Sequence, residues 1–303
     1  MLKAIEFFSG IGGWRYAMGE RGTVLRAYDI SPAANDAYAL NHGERPWDRE
    51  IASLDEADVR PLGADTWLMS PPCQPFCRMG NRHGLEDPRS RAFLRLMQLL
   101  ASDPPKHLLL ENVVGFFGSD AHGLICERLR RAGMHWREYE LCPTRFGIPN
   151  LRPRVYLVAS QGPLGDPSLP VTEALPLSRF LDAEEDPGLY LSQEAWSKHG
   201  PGLALAGPTD LSSACFIGGY GKRFVGSGPF LRTPRGVRRF SPEELGRLLG
   251  LPPDFRFPDH ISRAKRYKLL GNGLSIPVVR WLFSGLLADG EQEAQGGQGG
   301  NQA

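Results

Sequence analysis

The stretch SPPCQPFCRMG, Ser70 to Gly80, places a thiol, Cys73, directly behind two prolines, and a second thiol, Cys77, lies four residues further on. Proline holds φ at about −65° and biases the residue before it toward extended backbone. A thiol carried on such a stiff segment, just after the apolar run DTWLM, has little freedom to drift and is a candidate nucleophile. The alternative is a proline-rich turn with buried cysteines. Five cysteines in a chain without an export signal imply reduced thiols. With no C-x-x-C spacing and no histidine ligands near CQPFC, no zinc site is expected.

Other chemistry-bearing residues stand where strands end. LLLENV closes on Glu111 and Asn112, and a carboxyl there could hand a proton to a base nitrogen. NLRPRVYLVA offers Arg152 and Arg154, alternate residues expected to point the same way on entering a strand. An arginine beside a thiol lowers its pKa, and one beside a carbonyl holds its oxygen. Structural ion pairs would explain any one of these residues alone. FFSGIGG is a glycine turn of the kind that seats a nucleotide-like ligand at a helix start. Gly10 and Gly12 fit the dinucleotide fingerprint, but Arg15 stands where its third glycine is needed, so a pyrophosphate cradle is disfavoured. Asp29, at the end of the second strand, could hold ribose hydroxyls, and the combination suits S-adenosylmethionine.

The elements that must position these residues alternate. Strands are expected at KAIEFF, TVLRAYD, DTWLMS, KHLLLENV, WREYELC and VYLVAS. Helices are expected at WRYAMGERG, SPAANDAYALNHG, RAFLRLMQLLAS and HGLICERLRRAG. This is the pattern of a doubly wound, mostly parallel α/β sheet. The pattern breaks after about residue 162, where loop-like, proline-rich and Gly-aromatic text begins. The expected organisation is a catalytic, cofactor-binding domain over 1–162, completed by 265–288, and a small irregular or β target-recognition domain over 163–264. The low-complexity tail 289–303 is expected to be disordered.

A 303-residue chain with 41% hydrophobic and 23% charged residues is an ordinary globular composition. No apolar run reaches the roughly 18 residues that span a bilayer, and no signal peptide is visible, so a cytoplasmic monomer without a membrane partner is expected. Net charge is +1, but between Asp210 and Glu243 there is no acid, while Lys222, Arg223, Arg232, Arg235, Arg238 and Arg239 fall there. Arg78, Arg82, Arg89, Arg91 and Arg95 follow the thiol loop. Such clusters flanking a suspected site point to a phosphate backbone, against the plain alternative of solvated faces.

Taken in order, these motifs resemble the cytosine-5 methyltransferase family over nearly the whole chain. FFSGIGG is similar to its cofactor loop, PPCQPF to its nucleophile loop and ENV to its acid motif. NLRPR is similar to Gln-x-Arg-x-Arg with Asn150 for Gln, and GNGLSIP to the last cofactor motif with Gly273 for Ser. The resemblance implies a Rossmann-like, S-adenosylmethionine-dependent fold without a metal. It implies a cofactor site at Phe8, Gly10, Ile11, Gly12, Gly13, Asp29, Ile30, Glu50, Ile51, Pro71, Asn272 and Leu274. It also implies catalysis by Cys73, Glu111, Arg152 and Arg154 on a cytosine taken out of its stack. PTRFGIPN and CFIGGYGKRFVGSGPFL resemble the branch that methylates transfer RNA in the anticodon loop, with Ile217 where that branch has threonine. Arg78, Arg82, Cys215, Tyr220, Lys222 and Arg223 are then expected to bind nucleic acid, with Tyr220 stacking on a splayed base. The branch suggests tRNA for aspartate or glutamate. Duplex DNA is the alternative substrate, and a binding module without turnover is the third reading.

Overall fold

The computed structural model describes residues 1–72 and 87–296, without the side chains of Arg89 and of 287–296. The strands of the main sheet are β1 (Leu2–Phe7), β2 (Gly22–Tyr28), β3 (Thr66–Met69), β4 (His107–Val113), β5 (His135–Leu141) and β6 (Arg154–Ser160). Between them run α1 (Gly13–Met18), α2 (Pro32–His42), α3 (Glu56–Val59), α4 (Arg91–Ser102) and α5 (Asp120–Arg131). Among the described residues the sheet order is β2-β1-β3-β4-β6-β5. Neighbours pair in parallel from β2 through β4, while β6 runs antiparallel to both β4 and β5. This is the expected doubly wound, mostly parallel sheet.

The pleat of β1 shows why helices cover both faces. Leu2 and Ala4 join the core beneath α1 and α2, whereas Ile5 and Phe7 join the core beneath α4 and α5. The local signals at α2 act as expected: the Ser31 side chain accepts from Ala34 N–H, Pro32 opens the helix, and Gly43 closes it at φ 75°. From β1 the chain crosses to β2 on one side and later to β3 on the other, with Phe7 opposite Met69. A crevice opens at the carboxyl ends of strands where the order reverses in this way. The glycine loop and the thiol loop leave the sheet at that point.

Beyond β6 come α6 (Gln193–His199), β7 (Ala204–Ala206), β8 (Pro229–Thr233), β9 (Gly236–Arg238), α7 (Pro242–Leu249), α8 (Arg263–Gly271) and α9 (Ile276–Gly296). β7, β8 and β9 form a small second sheet. Its Phe230 and Leu231 belong to the same continuous core as Trp14 of α1 and Phe283 of α9. Arg238 and Glu244 form a buried two-bond ion pair, at 2.9 and 2.7 Å, between β9 and α7. α9 returns to the main sheet, where Phe283 meets the edge of Trp14 at 6.4 Å. The helix continues through Gly296. Glu291, Gln292, Glu293, Ala294 and Gln295 are good helix formers and extend a helix already nucleated by its packed first turns. No helix of the described residues is long and apolar enough to cross a membrane.

Candidate active site

The glycine loop is built to bring backbone close to a ligand. Phe8, Gly10 and Gly12 all have positive φ, of 56°, 54° and 84°. For phenylalanine this is a strained conformation that surrounding packing must enforce. A Cβ on Gly12 would run into the His42 ring, and one on Gly13 would come within 2.8 Å of Leu274. The expected cofactor residues Gly12, Gly13 and Leu274 are thereby brought together, and Ile11 is buried beneath them. Glu6 lies buried on the same strand, accepts from the Tyr38 hydroxyl at 3.0 Å, and is pushed by burial to about 8.

Asp29 does more than the sequence suggested. One carboxylate oxygen accepts from Gly10 N–H and the other from Ser31 N–H, both at 2.8 Å. It therefore anchors the glycine loop to the end of β2 and keeps lone-pair positions for a further donor. Ile30 beside it is 67% exposed, an apolar side chain left at the mouth of the crevice. Ile51 is buried and Glu50 is exposed. Asp29→Ala is expected to weaken cofactor binding by about 1–3 kcal/mol, the scale of a lost bond to a charged group. Calorimetry on the variant checks this, and unchanged affinity would mean that the ribose is held elsewhere.

The strand ends are cross-braced. Trp14 Nε1 donates to Ser70 Oγ at 2.9 Å, which ties the start of α1 to the end of β3. Asn112 Nδ2 donates to the Pro71 carbonyl at 3.1 Å, which ties β4 to the start of the thiol loop. Trp14 and Ser70 were not singled out from the sequence, because their partnership spans 56 positions. Cys73, Arg78 and Arg82 lie outside the described residues.

Glu111 is buried at the end of β4, with Arg154 Nε 3.3 Å from its Oε1. Burial raises its pKa, while Arg154, Arg152 and the Ser70 hydroxyl pull it back. The result is a carboxyl that keeps its proton to higher pH than an ordinary glutamate.

Arg152 behaves differently from Arg154. It precedes β6 rather than lying in it, and it is 2% exposed. Its guanidinium donates to the carbonyls of Phe216 (2.9 Å), Gly271 (3.1 Å) and Gly273 (2.6 Å), and to Cys215 Sγ at 3.4 Å. Arg152 thus holds backbone segments together, and it shares with Arg154 the neighbourhood of Glu111 and of the Cys215 thiol. Cys215, half-buried, is thereby held next to the arginine pair, and Asn272 is exposed in the turn that follows α8.

Tyr220 corrects the expectation that its ring stacks on a base. It is completely buried, its hydroxyl donates to the Pro229 carbonyl at 2.8 Å and accepts from Phe240 N–H at 2.9 Å. Phe216 and Tyr267 meet its ring at 5.1 Å each. A ring so enclosed cannot stack on a base. Lys222 and Arg223, one turn further on, are exposed.

Residues 2–184 and 209–287 match the family described as C-5 cytosine-specific DNA methylase. A tRNA (cytosine(38)-C(5))-methyltransferase of Schizosaccharomyces pombe is 33% identical, over 94% of this chain and 97% of the relative. A DNA (cytosine-5)-methyltransferase of Dictyostelium discoideum is 27% identical over 96% of each. The solved Entamoeba histolytica methyltransferase EhMeth superposes with a TM-score of 0.91 at 26% identity, covering 95% of this chain and 98% of its own.

Proposed function

Because the chain belongs to the C-5 cytosine-specific methylase family and is a cytosine-5 methyltransferase, we propose that it methylates a cytosine in the anticodon loop of transfer RNA through a covalent Cys73 adduct. The observation that carries the chemistry is the buried Glu111–Arg154 pair, 3.3 Å apart, beside a thiol loop whose entry is fixed by Asn112. The crevice fits S-adenosylmethionine: side-chain-free glycines, a carboxylate at Asp29 and an exposed apolar residue at Ile30. When bound, that cofactor supplies an electrophilic methyl group. Cytosine is not nucleophilic at carbon 5 until a thiolate adds to carbon 6. Glu111 protonates nitrogen 3 as Cys73 adds, and Arg154 holds the oxygen at position 2. Loss of the carbon-5 proton to water, departure of Cys73 as thiolate and return of the nitrogen-3 proton to Glu111 complete the turnover.

The transfer-RNA reading is supported by similarity to the relative named for cytosine 38, by the CFIGGYG segment, and by exposed Lys222 and Arg223. Transfer RNA for aspartate or glutamate is the expected acceptor. The reading places catalysis in 1–162 with 265–288, assigns target recognition to 163–264, and implies a cytoplasmic monomer. The similarity to a relative named as a DNA enzyme keeps duplex DNA as the second reading.

Incubation with labelled cofactor and either total transfer RNA or duplex DNA separates the two, and label is expected in transfer RNA. Lys222→Ala and Arg223→Ala are each expected to lower the salt slope of RNA binding by about 0.7–0.9, the loss of one phosphate contact. Cofactor affinity should stay constant in both. A slope identical to that of the unaltered protein would show these cations to be merely solvated.

A further inference from the structure

Outside the crevice, three metal-ligand side chains converge where α5 lies over the edge strand β5. His122 and Cys126 are four residues apart and so share one face of α5. Glu138 of β5 faces them: its Oε1 lies 3.0 Å from His122 Nε2 and 3.4 Å from Cys126 Sγ. The three ligand atoms fall within 4.8 Å of one another. The histidine ring meets Phe116 at 5.9 Å and Phe117 at 5.1 Å, which limits its orientation. Trp136 Nε1 donates to the same Glu138 oxygen at 3.2 Å.

We propose that His122, Cys126 and Glu138 bind a single zinc-class divalent cation that clips α5 to the edge strand. One imidazole nitrogen, one thiolate and one carboxylate oxygen form the mixed donor set that suits zinc. With bonds of about 2.0–2.3 Å, ligand atoms around a tetrahedral ion stand roughly 3.3–3.7 Å apart. The present spacings of 3.0 and 3.4 Å need only a small opening. His122 and Cys126 are half-buried and Glu138 is exposed, so water can complete the fourth position. The Trp136 N–H remains on the carboxylate as an orienting donor.

Binding displaces protons in a defined way. The thiol proton goes to solvent, and the His122 proton moves from Nε2 to Nδ1, which gives up the 3.3 Å bond from Gly118 N–H. A bound cation favours the thiolate, the form of the cysteine that ligates it. C-x-x-C spacing cannot disclose such a site, because one ligand comes from a strand 12 residues after the helical cysteine.

The test uses the full chain, stripped with a chelator and titrated with Co²⁺ and then Zn²⁺. The expected result is one tightly bound Co²⁺ with a thiolate-to-cobalt charge-transfer band, displaced by Zn²⁺, and a raised unfolding temperature in Zn²⁺. Cys126→Ser should lose the band, Glu138→Gln should weaken Co²⁺ binding at least about tenfold, and both should keep normal methyl transfer. A thiolate band that survives Cys126→Ser belongs to other thiols and overturns the proposal, as does its absence from the unaltered protein. Should Cys126→Ser fail to fold, unchanged Co²⁺ affinity in Glu138→Gln overturns it equally.

Discussion

Replacing Cys73 by alanine is expected to abolish methyl transfer while folding and cofactor binding persist. In the proposed mechanism carbon 5 becomes reactive only after Cys73 adds at carbon 6, so its loss leaves the cofactor methyl group without a nucleophile to accept it. The loss should be on the order of 10⁴–10⁶-fold, the scale seen when a covalent nucleophile is deleted. The backbone that delivers Cys73 is held independently of it. Ser70 accepts from Trp14 at 2.9 Å, and the Pro71 carbonyl accepts from Asn112 at 3.1 Å. The variant should therefore melt like the unaltered protein and bind cofactor with equal affinity. Label transfer and calorimetry on one preparation check both halves. Turnover near the normal rate on a stable variant would remove Cys73 from the mechanism, whereas Cys77→Ala should change little.

What the sequence disclosed was whatever local chemistry decides. Ser31, Pro32 and Gly43 act within one helix, so the bounds of α2 were legible. The alternation of apolar strands with helices gave the sheet, and strand ends gave the crevice. Tyr220 was not legible, because GGYGKRF has the same composition whether its ring meets a base or a core. Phe216, Phe230 and Tyr267 decide the matter, and they arrive by the tertiary fold. The backbone bonds of Arg152 were hidden for the same reason: its carbonyl partners lie 64 to 121 positions away. His122, Cys126 and Glu138 form a third instance, since a helix face and a strand residue meet only once α5 has packed on β5.

Glu111→Gln is expected to slow turnover by about 10²–10⁴-fold, the usual contribution of a positioned proton donor. Glutamine keeps the shape and can still offer a hydrogen bond, but it has no acidic proton to give to nitrogen 3. Because Arg154 stands 3.3 Å from Glu111, the substitution also removes the charge that this arginine faces. Loss of one partner of a buried pair costs stability, up to about 3–5 kcal/mol, so turnover must be compared at a temperature where both proteins are folded. The pH profile then separates proton donation from ion pairing. Burial raises the Glu111 pKa above the ordinary carboxyl value. Its neutral form is thus complete below that ordinary value and is lost as pH rises through the raised one, both as a stability contribution and as a supply of donor. Turnover of the unaltered enzyme should fall on that alkaline limb, and in Glu111→Gln the limb should flatten while the rate stays low throughout. A variant as fast as the unaltered enzyme at every pH would mean that Glu111 only balances Arg154, and that the proton for nitrogen 3 comes from another group.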